Sequence, residues 1–551
     1  MNQEAVKQLT KQGCMVGKDA AEILTEEDVE RITELEATPM FVSDDMLTSL
    51  RERMQQKVVV GSQGGQVKQE IETETETVAE QVQGEASVDR VEETSSEQVQ
   101  EEKTQQKEEN NSDTAEEVAS KVSKDFDRKS SHFSNDKTVV LRDDGKRNEV
   151  DTKVEVMDDY EVSRDQKDVP EFLQYYNDRY DKMKKLLMRR SELRSATSVK
   201  RLERRDEGEE AAVIGMVKEK YSTNSGKYIV SIEDKTGTFK ALVDEREGDK
   251  IVPDEMLGFT GNMGGDIIYA NNVIRPDLPI PDGVKTTKDE IKAAYISDLH
   301  IGSEDTLHDR LDRFADWLGT EDASNIGYLV MPGDVVEGVG VYPGQEKELE
   351  VPDIYKQYER FEKWLEKVPE DIQVVIGPGN HDIVRLAEPQ PRLTENVLEK
   401  ATDFNNVHLV NNPQMVRLHG IRSKGIKNLM YHGHSFDEQI DAIKELRENA
   451  YEEPYRVMVD LLKRRHLAPT YGSNLLSPEG EDHLVIDEKP DLFVSGHLHS
   501  HSNYSYKGVN VVNASTFQAQ TDFQKRVGHE PDPGKVTVIN YKNRNTEVKQ
   551  F

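Results

Sequence analysis

Apolar residues recur at helical spacing in two regions of the chain. In residues 1–56, the segments NQEAVKQLTKQG and AAEILTEEDVERITELEA place Ala, Ile, Leu and Val three and four positions apart, and Thr25 before an acidic run is typical of a helix N-terminus. We predict a small helical domain there. Residues 169–206 return to this spacing with many Lys and Arg residues. They predict a basic helical segment that either meets phosphates or is balanced by acidic neighbours.

Residues 57–168, between these two regions, show no such periodicity. They are rich in Glu, Gln, Ser and Thr and nearly free of aromatic residues, as in EIETETETVAEQVQGEASVDRVEETSSEQVQEEK. A segment of this composition cannot bury enough apolar surface to offset its ordering entropy. We therefore predict a disordered acidic linker, and we favour a solvated spacer over a recruitment tail.

Residues 207–285 predict a small β domain. Alternating segments are interrupted by turn signals at 224–226 (NSG) and 234–237 (DKTG). About five short strands of this kind are typical of an OB-fold barrel. Such barrels often bind single strands through aromatic residues, which are sparse here, so we favour a scaffolding role. The candidates for stacking in residues 211–245 are Tyr221, Tyr228 and Phe239.

Residues 286–551 alternate apolar strand-like segments with helical stretches, which predicts an α/β domain. Five of these segments end in AAYISDLH, YLVMPGD, VVIGPGNHD, NLMYHGH and DLFVSGHLH. Because open α/β sheets bind ligands beyond the carboxyl ends of their strands, we expect these endings to converge on one rim. Of the 14 histidines, all but His132 lie at or after His300. The candidate site residues are Asp298, His300, Asp334, Asn380, His381, Asp382, His432, His497 and His499.

The residue types at this rim favour a metal site. Imidazole and carboxylate groups without thiolate suit Mn, Fe, Zn or Co. The single cysteine, Cys14, excludes a thiolate zinc site and a disulfide framework. A carboxylate such as Asp334 can bridge two cations about 3.5–4 Å apart, which activate a water and neutralise phosphoryl oxygens. The pattern therefore predicts hydrolysis of a phosphoester.

The net charge of −35 is unfavourable for a protein that binds nucleic acid. Much of this charge lies in the predicted linker, so phosphate binding would depend on local basic residues such as those of LLKRRH. The acidic excess is also compatible with a salt-rich host cytoplasm. No signal-peptide pattern and no run of about 18 apolar residues is visible. We therefore expect a cytoplasmic protein with no membrane partner.

The rim motifs resemble those of a known family, the calcineurin-like metallophosphoesterases: Asp298-x-His300, Gly333-Asp334, Gly379-Asn380-His381-Asp382, His432 and Gly496-His497-x-His499. Residues 170–551 more closely resemble the small subunits of archaeal D-family DNA polymerases, through YYNDRYDKM, LLKRRHLAPTYG, LVIDEKPDLFVSGHLH and NASTFQAQTDFQKRVG. This resemblance implies an α/β fold, a two-sheet metallophosphoesterase sandwich at 286–551 preceded by the OB-fold β-barrel. The small N-terminal helical domain would sit on a disordered tether.

The resemblance also implies a metal-dependent 3′-to-5′ exonuclease that proofreads for a separate, large polymerising subunit. Its substrate would be single-stranded or primer-template DNA, and its cofactors two divalent metal ions, with Mn²⁺ favoured over Fe, Zn or Co. The ligands of the first ion would be Asp298, His300, Asp334 and His499. The ligands of the second would be Asp334, Asn380, His432 and His497. His381 would act on the leaving oxygen or on the phosphoryl charge, and Asp382 would orient it.

Several alternatives remain open at this point. In HGH, either His432 or His434 is a possible ligand, and the family match favours His432. Arg385 is a candidate phosphate contact, although a solvated arginine is favoured. His308 and His501 are expected to be surface or packing residues, and no chemistry requires His466. A catalytically silent structural subunit and a phosphoesterase for small molecules are the competing functions. The N-terminal domain would hold a further replication factor.

Overall fold

The computed structural model describes most of the C-terminal three-quarters of the chain and a few segments before it. The described residues are 15–16, 25, 41–42, 137–141, 147–162, 169–394, 396–398, 404–420, 424–472 and 474–551. Most of the predicted helical domain and most of the predicted acidic linker therefore lie outside the described residues.

The chain divides into two units, residues Met1–Asn111 and Ser112–Phe551. In the first unit, strand β1 (Met15–Val16) pairs in parallel with β2 (Phe41–Val42). In the second, β3 (Lys137–Leu141) and β4 (Arg147–Asp151) form an antiparallel pair.

The predicted end of the acidic linker at residue 168 is wrong. Strand β5 (Val154–Met157) pairs antiparallel with β15 (Gln414–Leu418) as the edge of a six-stranded sheet. Val154 is 1% exposed, and Glu155 forms an ion pair with Arg417 at 2.5 Å. The alternation of apolar and polar residues in this four-residue strand is hard to see within an acidic region. Its order comes from a partner strand far along the chain.

The basic segment contains helix α1 (Val169–Leu187), a 3₁₀ turn (Ser191–Leu193) and α2 (Val199–Leu202). An apolar face of α1, including Met183 and Leu186, joins a cluster with Ile214 and Met256 of the following domain. On its polar side, Lys182 forms ion pairs with Asp178 (2.8 Å) and Glu481 (3.1 Å). Acidic neighbours thus balance at least this part of the basic segment.

A closed five-stranded barrel follows α2. Its strands are β6 (Glu210–Ser222), β7 (Tyr228–Asp234), β8 (Gly237–Val243), β9 (Met256–Met263) and β10 (Ile267–Ile274), with helix α3 (Glu245–Gly248) between β8 and β9. Around the barrel the order is β10-β8-β7-β6-β9, and β10 runs parallel to β8 but antiparallel to β9. Val213, Val230 and Phe259 are fully buried in its core. The assignment of this barrel to the OB-folds stays a prediction.

The first large sheet has six strands in the order β14-β13-β12-β11-β20-β21. They are β11 (Lys292–Tyr295), β12 (Ile326–Met331), β13 (Gln373–Ile376), β14 (Val407–Leu409), β20 (Lys535–Asn540) and β21 (Thr546–Gln550). Strands β11 to β14 are parallel. Helices α4 (His308–Leu318) and α5 (Ile354–Leu365) pack on one face through Phe314, Phe361 and Trp364. Two 3₁₀ turns, Glu321–Ala323 and Gln345–Lys347, belong to the connecting loops.

The second sheet has the order β18-β19-β17-β16-β15-β5. Its remaining strands are β16 (Ile426–Met430), β17 (Leu492–Ser495), β18 (His501–Tyr506) and β19 (Val509–Ala514). The helices after β16 are α6 (Phe436–Ala442), α7 (Lys444–Arg447) and α8 (Tyr455–Arg464), and the last helix is α9 (Asp522–Val527). Tyr295 and Val330 of the first sheet share a buried cluster with Val416 and Val494 of the second. The two sheets therefore face each other across an apolar core, and the predicted α/β fold is confirmed.

Among the helices in the described part of the chain, none is both long and apolar enough to cross a membrane.

Candidate metal centre

The carboxyl ends of five strands carry the predicted site residues. Strands β11, β12 and β13 are parallel neighbours in the first sheet, and β16 and β17 are parallel neighbours in the second. Parallel neighbours deliver their following loops to the same edge of a sheet. The loops after these five strands bring together Asp298, His300, Asp334, Asn380, His381, His432 and His499, with His497 beside them.

The first group of potential ligands is Asp298, His300 and His499. His499 Nε2 lies 3.3 Å from Asp298 Oδ1 and 3.0 Å from His300 Nε2. All three side chains are nine-tenths or more buried. Two imidazole nitrogens and a carboxylate oxygen thus meet at one point out of contact with bulk water.

The second group surrounds His432, which is fully buried. Its Nε2 lies 3.1 Å from Asp334 Oδ2 and 3.0 Å from Asn380 Oδ1. The same Asp334 oxygen is 3.9 Å from His300 Nε2 of the first group. Asp334 therefore lies between the two groups, where its carboxylate is within reach of both.

His497 lies beside the second group, with its ring centroid 5.3 Å from that of His432. Its Nε2 is hydrogen-bonded to Asp437 Oδ2 at 2.7 Å, so only Nδ1 is left for a metal. Asp437 is on α6 and was not a predicted site residue. The signal for it was an acidic residue in the first turn of the helix that follows HGH. A carboxylate behind a histidine ligand fixes the ring and raises its basicity.

His381 is held by two bonds beside these groups. Its Nδ1 donates to the backbone carbonyl of Glu337 at 2.7 Å, and its backbone N–H donates to Asp334 Oδ1 at 2.8 Å. Its ring is edge-on to that of His300, at 4.7 Å between centroids. Nε2 is therefore the nitrogen that remains to act on a substrate.

The expectation that Asp382 orients His381 is wrong. The Asp382 carboxylate accepts from the backbone N–H groups of Asp334 (2.9 Å) and Gly379 (2.8 Å) and from the Tyr358 hydroxyl (3.0 Å). Burial, with the nearby Asp334, raises the pKa of Asp382 to about 7. Asp382 thus anchors the loops after β12 and β13, because their backbone donors point at it and the His381 ring does not.

Glu337 is a second residue that sequence reasoning missed. It accepts from His300 Nδ1 (2.8 Å), Gln518 Nε2 (2.9 Å) and Gln345 Nε2 (3.0 Å), and it is 1% exposed. Burial acts to raise its pKa, but His300 and the other donors lower it to about 2. Glu337 is therefore a carboxylate that fixes His300 from behind. Its position three residues after Asp334 was the available signal.

Five of the site residues have a left-handed backbone conformation. Asp298, His300, Asp334, His497 and His499 all have positive φ, between 47° and 71°. Such conformations persist only where the surroundings determine them, and they cluster at functional sites.

Two glycines allow close approach of neighbouring loops to the carboxylates. A Cβ on Gly496 would lie 2.0 Å from Asp298 Oδ2, and one on Gly379 would lie 2.1 Å from Asp334 Oδ1. Any side chain at these positions would displace a carboxylate.

The donor set fits divalent cations. The two groups offer imidazole nitrogens, carboxylate oxygens and an amide oxygen but no thiolate, which suits Mn, Fe, Zn or Co. Burial acts to lower the pKa of His432, yet the adjacent Asp334 raises it to about 9. Burial also opposes the charge on His300, whose pKa the carboxylates of Glu337 and Asp298 nonetheless raise. The surroundings of His300 and His432 therefore favour positive charge, whereas burial lowers the pKa of His499.

The other candidates lie outside these groups. His434 contacts only the edge of the site, with its ring 6.1 Å from that of His497, and it is His432 that lies against Asp334. His308 pairs with Glu350 (3.2 Å), His501 with Thr537 (2.9 Å), His466 with Asp482 (2.9 Å) and Arg385 with Glu479 (2.7 Å).

The suggestion that LLKRRH supplies phosphate contacts is wrong for its two arginines. Arg464 is buried between Glu255 and Asp460, and Arg465 is buried against the backbone carbonyls of Ile486 and Asp487. The guanidinium groups of both arginines are thus bonded to partners inside the fold.

The comparisons with known proteins agree with this architecture. Residues 291–501, which hold all the strand-end residues above, match the calcineurin-like phosphoesterase family. The chain is 37% identical over 412 residues to the DNA polymerase II small subunit of Methanocaldococcus jannaschii, which covers 71% of this chain and 68% of that protein. It is 38% identical to the small subunits of Archaeoglobus fulgidus (68% and 75% covered) and Halobacterium salinarum (69% and 75%).

The fold and the matched segment define a protein with a phosphoesterase domain of the calcineurin-like class. The chain belongs to the family of DNA polymerase II small subunits, the small subunits of the archaeal D-family DNA polymerases. The resemblance stated from the sequence is thereby confirmed.

Proposed function

We propose that the chain is a metal-dependent 3′-to-5′ exonuclease that removes mismatched nucleotides for the large polymerising subunit of the same DNA polymerase. The observation that carries this proposal is the two groups of buried ligands that share Asp334, with His381 beside them. A subunit with a purely structural task has no need of such strained and buried polar residues.

Two divalent cations, which we propose to be Mn²⁺, would be held by the residues of the two groups. The first would bind Asp298, His300, Asp334 and His499, and the second Asp334, Asn380, His432 and His497. Bound cations would activate water as a nucleophile and neutralise charge on the phosphoryl oxygens.

His381 is the proposed general acid. Since Nδ1 donates to the Glu337 carbonyl, Nε2 is the nitrogen left for the substrate. In the imidazolium form Nε2 also carries a proton, which it would give to the O3′ oxygen that leaves when the P–O3′ bond breaks. Asp382 holds the backbone of Asp334 and Gly379, and thus the distance between the two ligand groups. Glu337 keeps His300 in its orientation.

The proposal is tested with the full chain in complex with the large subunit. A primer-template with a mismatched, labelled 3′ end is expected to lose single nucleotides in Mn²⁺, to be stable after chelation and to be degraded again when Mn²⁺ is restored. A complex that extends primers but removes no mismatch in Mn²⁺, Fe²⁺, Zn²⁺ or Co²⁺ would contradict the proposal and favour the structural role.

Asp437→Ala is expected to weaken metal binding by about 10- to 100-fold, because the His497 ring loses the carboxylate that orients it. The measurement is the Mn²⁺ concentration that gives half-maximal nuclease activity. Glu438→Gln, the neighbouring exposed carboxylate on α6, is the matched control and should leave that concentration unchanged. An equal shift in both variants would mean that general electrostatics, and not the Asp437 contact, sets the affinity.

A further inference from the structure

Two aromatic rings lie next to each other at one side of the metal centre. The ring centroids of Tyr342 and Phe523 are 6.4 Å apart and their planes differ by 31°. Phe523 is 52% exposed, which is unusual for the most apolar of the aromatic side chains. Neither ring has a role in the proposed hydrolysis.

Tyr342 is tied to the centre from one side. Its hydroxyl donates to Glu348 Oε2 at 2.9 Å and lies 3.4 Å from Glu337 Oε1, the carboxylate that also fixes His300. Its ring centroid is 6.3 Å from that of His381. The ring is therefore held at a fixed place beside the proposed general acid.

Phe523 is tied to the centre from the other side. It is on α9, whose first turn is closed by a capping box between Thr521 and Gln524. The side-chain amide of Gln524 is hydrogen-bonded to His499 Nδ1 at 2.9 Å. The helix that presents Phe523 to solvent is thus attached directly to a proposed metal ligand.

The surroundings of Phe523 favour a nucleic-acid strand as its partner. Lys525 and Arg526 on the same short helix are exposed, and Lys525 is in a surface ion pair with Asp522 at 2.9 Å. Exposed aromatic rings next to basic side chains are the combination that binds single strands, because bases stack on the rings while cations meet the phosphates. A protein partner would be expected to need a wider apolar surface than one ring.

We propose that Phe523, beside Tyr342, is the stacking platform for the base of the 3′-terminal nucleotide. The inference rests on the proposed exonuclease function, since the base is one sugar away from the phosphate that is cleaved. A mismatched base is unpaired and free to stack there, whereas a paired base must first leave its duplex. The platform would therefore select frayed ends for hydrolysis.

The test compares two single-stranded oligonucleotides that differ only at the 3′ end, one with a normal terminal nucleotide and one with an abasic terminal residue. Phe523→Ala is expected to raise KM for the normal end by about tenfold, within the range of one base–aromatic stack, and to leave kcat within about twofold. KM for the abasic end should be the same in wild type and variant. Phe523→Trp should restore the preference for the normal end.

Tyr504→Ala is the matched control. Tyr504 is 44% exposed and lies on β18, where it is paired with Val511 of β19. It is three residues after His501, the end of β18 that is nearest the site. Its loss should change neither substrate's KM.

Two results would overturn the inference, and a third would separate it from the exonuclease proposal. If Phe523→Ala raises KM equally for both oligonucleotides, the terminal base does not stack on Phe523, and the exonuclease proposal stands. If Phe523→Ala weakens association with the large subunit and leaves KM unchanged, the Phe523 ring is a contact with that subunit. If wild type cleaves neither oligonucleotide, the exonuclease proposal fails, and equilibrium binding of the two ends in chelator still decides between a stacking and a non-stacking Phe523.

Discussion

His381→Ala is expected to reduce removal of a mismatched 3′ nucleotide by about 10²- to 10⁴-fold, the usual contribution of a general acid. His381 is oriented by the Glu337 carbonyl at 2.7 Å. It is outside the two proposed ligand sets, although it forms a third cluster of possible ligands with His300 and Glu337. The variant should therefore lose proton donation to O3′ but keep its cations. The measurement is single-turnover hydrolysis of a mismatched primer in Mn²⁺, together with the Mn²⁺ concentration for half-maximal rate.

His308→Ala is the control for this experiment. His308 is an exposed histidine at the start of α4 whose contact is an ion pair with Glu350. Its rate should match that of the wild type. If His381→Ala keeps more than about a tenth of the wild-type rate, His381 is not the acid. If it loses Mn²⁺ affinity in parallel with rate, the residue belongs to the metal site instead.

Asp482→Asn is expected to lower the free energy of unfolding by about 3–5 kcal/mol, because it leaves a buried guanidinium without its counter-charge. Arg179 of α1 is 2% exposed, and its Nε donates to Asp482 Oδ2 at 2.6 Å. The same carboxylate oxygen is 2.9 Å from His466 Nε2. This pair joins the helix before the barrel to a loop of the phosphoesterase domain 303 residues later.

Urea unfolding followed by the fluorescence of Trp317 and Trp364 measures this effect as a lower midpoint at similar slope. Glu481→Gln is the matched control. It removes the neighbouring carboxylate, which is 65% exposed and pairs with Lys182 at the surface, so a change of about 0–1 kcal/mol is expected. If both variants lower the free energy of unfolding equally, burial does not make the Arg179–Asp482 pair more important for stability than the exposed Lys182–Glu481 pair.

The same pair has a predictable pH dependence. Burial acts to raise the pKa of Asp482, but Arg179 and His466 hold it well below the ordinary value. A carboxyl with a depressed folded-state pKa contributes stability that is complete above its unfolded pKa of about 3.9 and is lost as the pH falls further. The wild type should therefore lose stability below about pH 4 more steeply than Asp482→Asn.

Most of the candidate metal centre was predictable from the sequence because its potential ligands come as short motifs directly after apolar strands. Asp298, Asp334 and His499 needed no knowledge of neighbouring strands to be identified, since strand ends of parallel sheets meet at one edge. Asp437 and Glu337 were missed for the opposite reason. Each is an ordinary acidic residue in its own segment, and it becomes part of the site only through a contact with a histidine from another strand.

The same distinction explains the corrections. The Asp382 carboxylate turned out to receive backbone donors from two loops and not the adjacent imidazole. Arg464 looked like a free cation in a basic run, but its carboxylate partners include Glu255, 209 positions away. Strand β5 was hidden because its pairing partner, β15, is more than 250 residues later.

The sequence by itself determined the α/β class, the strand-end chemistry and the family, because these depend on local periodicity and on short motifs. Only the tertiary structure decided which carboxylate supports which histidine, which arginines are free and where the aromatic pair of Tyr342 and Phe523 stands. Those properties depend on distances between segments that are far apart in the chain, and burial sets whether a charge there is paired or free.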